Sequence, residues 1–202
     1  MSTAVLMPGV GKSDICCVAV VSASPVAFSD GDQGGPRGRA RDNGLGSAVP
    51  QLGPGDPAPR FVLSDQDGER VSSDSLAGQP AVVYFYPKDD TPGCTTEACQ
   101  FNDQLEQFQQ AGVRIVGVSP DAPGSHVEFR NKFGLRFTLL SDPTHQTMAD
   151  YGAWGDRPGR GEGVIRSTVL VAPDGTVTRA WYGVKADGHA SQVLQVLQAL
   201  KA

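Results

Sequence analysis

The sequence predicts an α/β fold, a central mixed sheet with helices on both faces, and three observations predict it. The runs AVVYFYP (81–87) and VRIVGVS (113–119) are continuously apolar, the pattern of strands buried in the middle of a sheet. Between them Ala98, Phe101, Leu105 and Phe108 recur at steps of three and four with polar residues between, the pattern of an amphipathic helix. Near the C-terminus two apolar runs, 165–171 and 177–182, flank the turn Pro173-Asp174-Gly175 as a hairpin. Helix then returns in HASQVLQVLQAL (189–200), which sets Val193, Leu194, Val196, Leu197 and Leu200 on one broad face.

The remaining elements follow in order from Leu52, where organised sequence begins. GDPAPRFVLSDQDGERVSSDSL (55–76) places two short apolar pieces around Asp67-Gly68, which predicts a hairpin. After the strand ending at Pro87 and the turn 88–93, the helix runs to about Gln110 and stops at Ala111-Gly112. A further helix falls within 124–133, where Val127 packs inward with Phe129, Phe133 or both; the three do not share one stripe, so the spacing leaves the buried ring open. FTLLSD (137–142) predicts a short strand and turn, THQTMADYG (144–152) a short helix, and the Gly-rich GAWGDRPGRGEG (152–163) a surface loop. An alternation of this kind fits a layered α/β domain over 52–202. At about 150 residues such a domain folds without a disulfide or metal.

Residues 1–51 read differently. SDGDQGGPRGRARDNGLGS (29–47) alternates Gly and charge without a structural period and predicts a disordered extension, with at most a small strand or helix around Val18 and Val21. It is equally the sequence that an upstream start assignment would add. The apolar stretch ICCVAVVSASPVAF (15–28) is too short to span a bilayer, and Asp14 beside it makes a poor entry to a signal peptide. A cytoplasmic protein is therefore expected. The net charge of −5 points away from nucleic acid and anionic membrane as partners.

The chemistry concentrates in PKDDTPGCTTEAC (87–99), which leaves a buried strand and enters a helix. Cys94 falls in or near the first helical turn, where unpaired N–H groups and the helix dipole favour a thiolate. Thr91, three residues earlier, is placed to donate to an oxygen of a bound substrate or to cap the helix. Taken alone, these residues also suit an inert buried cysteine at a helix start. Cys94 and Cys99, in an intact helix, lie roughly 7.5 Å apart along the axis. Disulfides prefer Cα separations below about 7 Å, so a bond between the two demands local unwinding.

The run YFYPKDDTPGCTTEACQFND (84–103) closely resembles the bacterioferritin comigratory protein, or PrxQ, branch of the peroxiredoxins. SDPTHQTMADYGAW (141–154), RSTVLVAPDG (166–175) and the tail with Gly188 and His189 resemble it as well, in the same order, so the likeness extends over about 52–202. The resemblance implies a thioredoxin-like fold. It implies that Pro87, Thr91 and Cys94 form the active-site motif, with Cys94 the peroxidatic and Cys99 the resolving cysteine, and that Arg166 is the catalytic arginine. The implied cycle has three stages. Cys94 attacks a small hydroperoxide and becomes a sulfenic acid, while Thr91, Arg166 and the amides of Gly93 and Cys94 orient the peroxide. Cys99 then condenses with it, and thioredoxin or a similar dithiol reduces the disulfide. No cofactor is implied, and a monomer is expected although the family includes dimers.

Other residues read more plainly. Glu97 is either a helix-start acid favoured by the dipole or a member of the active-site network. Trp154 and Trp181 are expected to pack. His126, His145 and His189 lack the spacing of a zinc motif, so no metal is expected. The glycines of 152–163 lack the context of a phosphate-binding loop. Cys16 and Cys17 are incidental thiols, partners in exchange with Cys94, or sites of intermolecular disulfides. A general thiol-disulfide oxidoreductase usually spaces its cysteines by two residues, where four intervene here. A redox sensor or holdase using the same motif differs from a peroxidase in turnover.

Overall fold

All five residues of strand β3 (Ala81–Phe85) are buried, as a continuous apolar run requires of a strand covered on both sides. In the computed structural model, which describes residues 51–200, that strand lies inside a seven-stranded sheet, between β4 and β8. The chain order is β1 (Val62–Asp65), β2 (Arg70–Ser72), a 3-10 turn (Ser73–Leu76), β3, α1 (Pro92–Asp103), α2 (Leu105–Gln110), β4 (Arg114–Ser119) and α3 (Pro123–Phe133). There follow β5 (Thr138–Ser141), α4 (Gln146–Asp150), β6 (Trp154–Arg157), β7 (Gly161–Val164), β8 (Ser167–Val171), β9 (Val177–Tyr182) and α5 (His189–Ala199).

The strands line up as β2-β1-β5-β4-β3-β8-β9. β4 runs parallel to both β3 and β5, whereas β8 runs antiparallel to β3, so the sheet is mixed as predicted. Alternation along β3 divides the interior in two. Val82 and Tyr84 face Cys94, Phe101, Phe108, Phe129 and Val193, so α1, α2, α3 and α5 cover this side. Ala81, Val83 and Phe85 face Phe61, Met148, Tyr151 and Val164 on the other.

Gly117 of β4 sits directly across from Tyr84, and a Cβ there would come within 2.8 Å of the tyrosine ring and hydroxyl. The absence of a side chain at Gly117 is what lets Tyr84 lie between β4 and the stacked rings of Tyr86 and Phe101.

Two expectations are corrected. The single helix expected up to Gln110 is broken at Gln104 into α1 and α2. Residues 105 and 108 keep the apolar stripe in phase across the break, so periodicity alone carried no sign of it. The segment read as a surface loop at 152–163 contains the antiparallel hairpin β6–β7. Gly159 and Gly161 take positive φ at its turn, and Gly163 lies under the Arg157 guanidinium, where a Cβ would approach to 2.5 Å. These glycines build a hairpin that apolar alternation does not announce. In α3 the buried ring is Phe129, with Phe133 only partly covered beside it. Trp181 packs in the core, as expected, and Trp154 stacks on His145. Residues 1–50 of the extension expected over 1–51, with Cys16 and Cys17, lie outside the described residues.

Candidate active site

β3 ends at Phe85, and the six residues 86–91 carry the chain to α1 at the C-terminal edge of the parallel strands. Pro92 occupies the first helical turn, where its missing N–H and fixed φ are favourable. Thr91 is the N-cap residue, with extended backbone. The first intrahelical bond runs from Thr95 N to Thr91 O at 2.8 Å. The amides of Gly93 and Cys94 precede it, so they have no acceptor within the helix and are available to an anionic group.

Cys94 is 1% exposed and Cys99 fully buried; neither is in a disulfide. The structure brings Arg166, which enters from the turn between β7 and β8, onto Cys94: Nη2 donates to Sγ at 3.2 Å. Nη1 of the same guanidinium pairs with Glu97 Oε2. Arg166 is thus a fork whose two arms hold the sulfur and a carboxylate three residues further along α1. The Arg166 side chain is 15% exposed, so one edge of the site reaches solvent.

Glu97 belongs to this network rather than to an exposed helix start: its side chain has no solvent exposure and Oε1 has no partner among the described residues. Burial pushes its carboxyl up from the ordinary value to about 7, against the pull of Arg166. Burial lowers the pKa of Arg166, but Glu97 and then Cys94 outweigh that effect and raise it, so the guanidinium stays charged. Sequence reasoning left Glu97 open because an acid in the first turns of a helix is usually solvated; its spacing of three from Cys94, which puts both on one face, was the available signal.

Thr91 does not cap the helix with its side chain. Its hydroxyl instead donates to Lys88 O at 3.0 Å, which leaves the oxygen free to accept. Pro87 stands half-buried at the start of the loop. On the opposite flank, Ala186 would lie 4.0 Å from a Cβ on Gly93, so the 183–188 segment closes that side of the turn. His189 is buried near Phe101 and Trp181, and its Nε2 is 2.8 Å from Thr168 Oγ1. Burial, with Arg166 nearby, lowers its pKa despite Gln192, which fits a packing residue.

Comparison with known proteins identifies the family of the chain that brings this cysteine and arginine together. Residues 54–180 match the model of the AhpC/TSA family. A putative peroxiredoxin of Mycobacterium tuberculosis is 47% identical over 146 residues, covering 71% of this chain and 93% of that protein. The peroxiredoxin Bcp of Escherichia coli K12 is 41% identical over 147 residues, covering 71% and 94%. Among solved structures, a mutant of PrxQ from Xylella fastidiosa superposes with a TM-score of 0.72 at 33% identity, covering 76% of this chain and 99% of that one. The bacterioferritin comigratory protein of Xanthomonas campestris, described by its alkyl peroxide reduction activity, gives a TM-score of 0.68 at 40% identity, covering 70% and 92%. The fold is therefore thioredoxin-like, and the chain belongs to the AhpC/TSA family, in the PrxQ branch of the peroxiredoxins, which are thiol-dependent peroxidases.

Proposed function

We propose that Cys94 is the peroxide-attacking thiol and Cys99 the thiol that resolves it, with hydrogen peroxide and organic hydroperoxides as substrates. The observation that carries this reading is the 3.2 Å contact from Arg166 Nη2 to Cys94 Sγ at the N-terminus of α1. The Cys94 sulfur attacks the terminal peroxide oxygen, the O–O bond breaks, and the departing oxygen leaves as water or alcohol once protonated. Negative charge grows on that oxygen as the bond breaks. Arg166 and the amides of Gly93 and Cys94 face the site where it grows. Thr91, whose proton is engaged by Lys88 O, accepts the hydrogen bond from the peroxide O–H and so orients it. Pro87 shapes the edge of the pocket and limits water. Glu97 holds the second arm of Arg166.

The sulfenic acid is then attacked by Cys99, forming the Cys94–Cys99 disulfide and releasing water. Both cysteines lie within α1, so its first turns unwind for this step. A dithiol of the thioredoxin type returns both cysteines to thiols. This reading is one of a cytoplasmic monomer. The monomer is supported by Val62 and Leu200 being the large apolar side chains left exposed among the described residues. Peptide mapping after one equivalent of peroxide tests the assignment: a Cys94–Cys99 linkage is expected, and linkage through Cys16 or Cys17 instead would contradict it.

A further inference from the structure

Behind the Cys94 turn lies a second buried network that the peroxide chemistry above does not use. Asp89, in the loop before α1, is 6% exposed. Its Oδ1 accepts from Tyr86 Oη at 2.7 Å, while Oδ2 accepts from Ser125 Oγ at 2.7 Å and lies 2.8 Å from Nδ1 of His126. Its backbone N–H donates to Asp121 Oδ2 at 2.8 Å, and that oxygen also takes the Ser119 hydroxyl at 2.9 Å. His126 has no solvent exposure, and its Nε2 has no partner among the described residues.

A carboxylate is costly to bury, and a loop residue has no packing reason to be one. The compensation here is complete: the hydroxyls of Tyr86 and Ser125 and the imidazole of His126 converge on one side chain. Burial raises the Asp89 pKa, but the bonds from His126, Tyr86 and Ser125 more than offset it, so the group stays ionised. The network ties residue 89 to the end of β4 and the first turn of α3. Directly after it Asp90 takes a φ of 53°, in the left-handed region, and its carboxylate binds Lys132 Nζ at 2.6 Å. The chain thus reverses on a fixed point two residues before Thr91 and five before Cys94.

We propose that Asp89 and His126 form a positioning pair for the peroxide-reducing step, fixing the 86–91 loop so that Thr91 and the amides of Gly93 and Cys94 converge on one oxygen position. Neither residue contacts substrate: His126 is fully enclosed, and all of the contacts of Asp89 described above are with the protein. Their action passes through loop geometry, to which near-attack alignment is sensitive. The inference rests on Cys94 being the peroxide-attacking thiol.

Rapid mixing of reduced protein with hydrogen peroxide tests the pair, following Cys94 oxidation and disulfide formation as separate phases. Asp89→Ala is expected to slow the oxidation phase by about tenfold to a hundredfold, with the condensation phase held within about twofold. Asp89→Asn, whose amide oxygen still accepts from Tyr86 or Ser125, is expected to recover part of the loss. Tyr86→Phe, which removes one hydroxyl and keeps the ring, covers the case in which Asp89→Ala does not fold, and is expected to slow oxidation severalfold. Oxidation within twofold of wild type in the folded variants, or equal slowing of both phases, overturns the proposal. Wild-type protein forming the Cys94–Cys99 disulfide in the same experiment separates that outcome from a failure of the Cys94 reading.

Discussion

Arg166 Nη2 lies 3.2 Å from Cys94 Sγ, although 72 residues separate the two in the chain. The contact exists because β8 runs antiparallel beside β3, with Ser167 opposite Phe85, so the residue before β8 stands next to the loop that leaves β3. Arg166→Ala is expected to slow Cys94 oxidation by about a hundredfold to a thousandfold, the scale of losing a preorganised charge donor. Arg166→Lys keeps the charge but not the fork, and recovers only part of the rate. Stopped-flow oxidation rates on variants with unchanged circular dichroism check both.

Glu97 links the site to pH. Burial raises its carboxyl to about 7 in the folded chain, above the ordinary 4.5, so the folded state holds a proton that the unfolded chain gives up earlier. Stability from this group is therefore fully present below about pH 4.5 and is lost as pH rises through about 7. The stability of wild type minus that of Glu97→Gln is expected to fall from pH 5 to about pH 7 and to level off towards pH 8. Urea unfolding of both proteins across that range measures it, and a flat or rising difference would remove the raised pKa from the account.

Gln100, the neighbour of Cys99, ties the second half of α1 to the segment before α5, and the proposed disulfide step has to work against that tie. Its Nε2 donates to Asp187 Oδ1 at 2.7 Å, and its Oε1 accepts from Gly188 N at 2.9 Å. Both bonds are exposed, and each is worth about 1 kcal/mol. Gln100→Ala is expected to speed disulfide formation by about threefold to tenfold, since about 1.4 kcal/mol corresponds to tenfold, and to leave Cys94 oxidation unchanged. A slower condensation phase in rapid-mixing experiments would show that Gln100 aids the opening rather than restraining it.

The Tyr84–Gly117 contact concerns folding rather than catalysis. Gly117→Ala forces a methyl against Tyr84 and Leu139, where its Cβ would lie 2.8 and 2.9 Å from their atoms. A loss of about 1–3 kcal/mol is expected from overpacking. Denaturant titration gives the value.

Much of this fold is legible because burial writes itself into sequence as period. The runs at 81–87 and 113–119 could be read as central strands, and α5 as a helix, before any contact was known. Strand order could not be read, because nothing local to β8 says that it pairs with β3 rather than β5. The same limit hid the contact of Arg166 with Cys94: the resemblance pointed to Arg166, while its own neighbours only make it a charge at a strand start. Asp89 and His126 were missed for a related reason. Each looks like an ordinary polar residue in its own segment, and only the approach of α3 to the 86–91 loop makes them partners.

The most direct test is steady-state hydroperoxide consumption coupled to thioredoxin, thioredoxin reductase and NADPH, comparing wild type with Cys94→Ser and Cys99→Ser. Many turnovers are expected in wild type, none in Cys94→Ser, and a single oxidation without efficient recycling in Cys99→Ser. Sustained turnover in Cys94→Ser would contradict these roles, as would the absence of turnover in wild type when glutathione and glutaredoxin are also supplied.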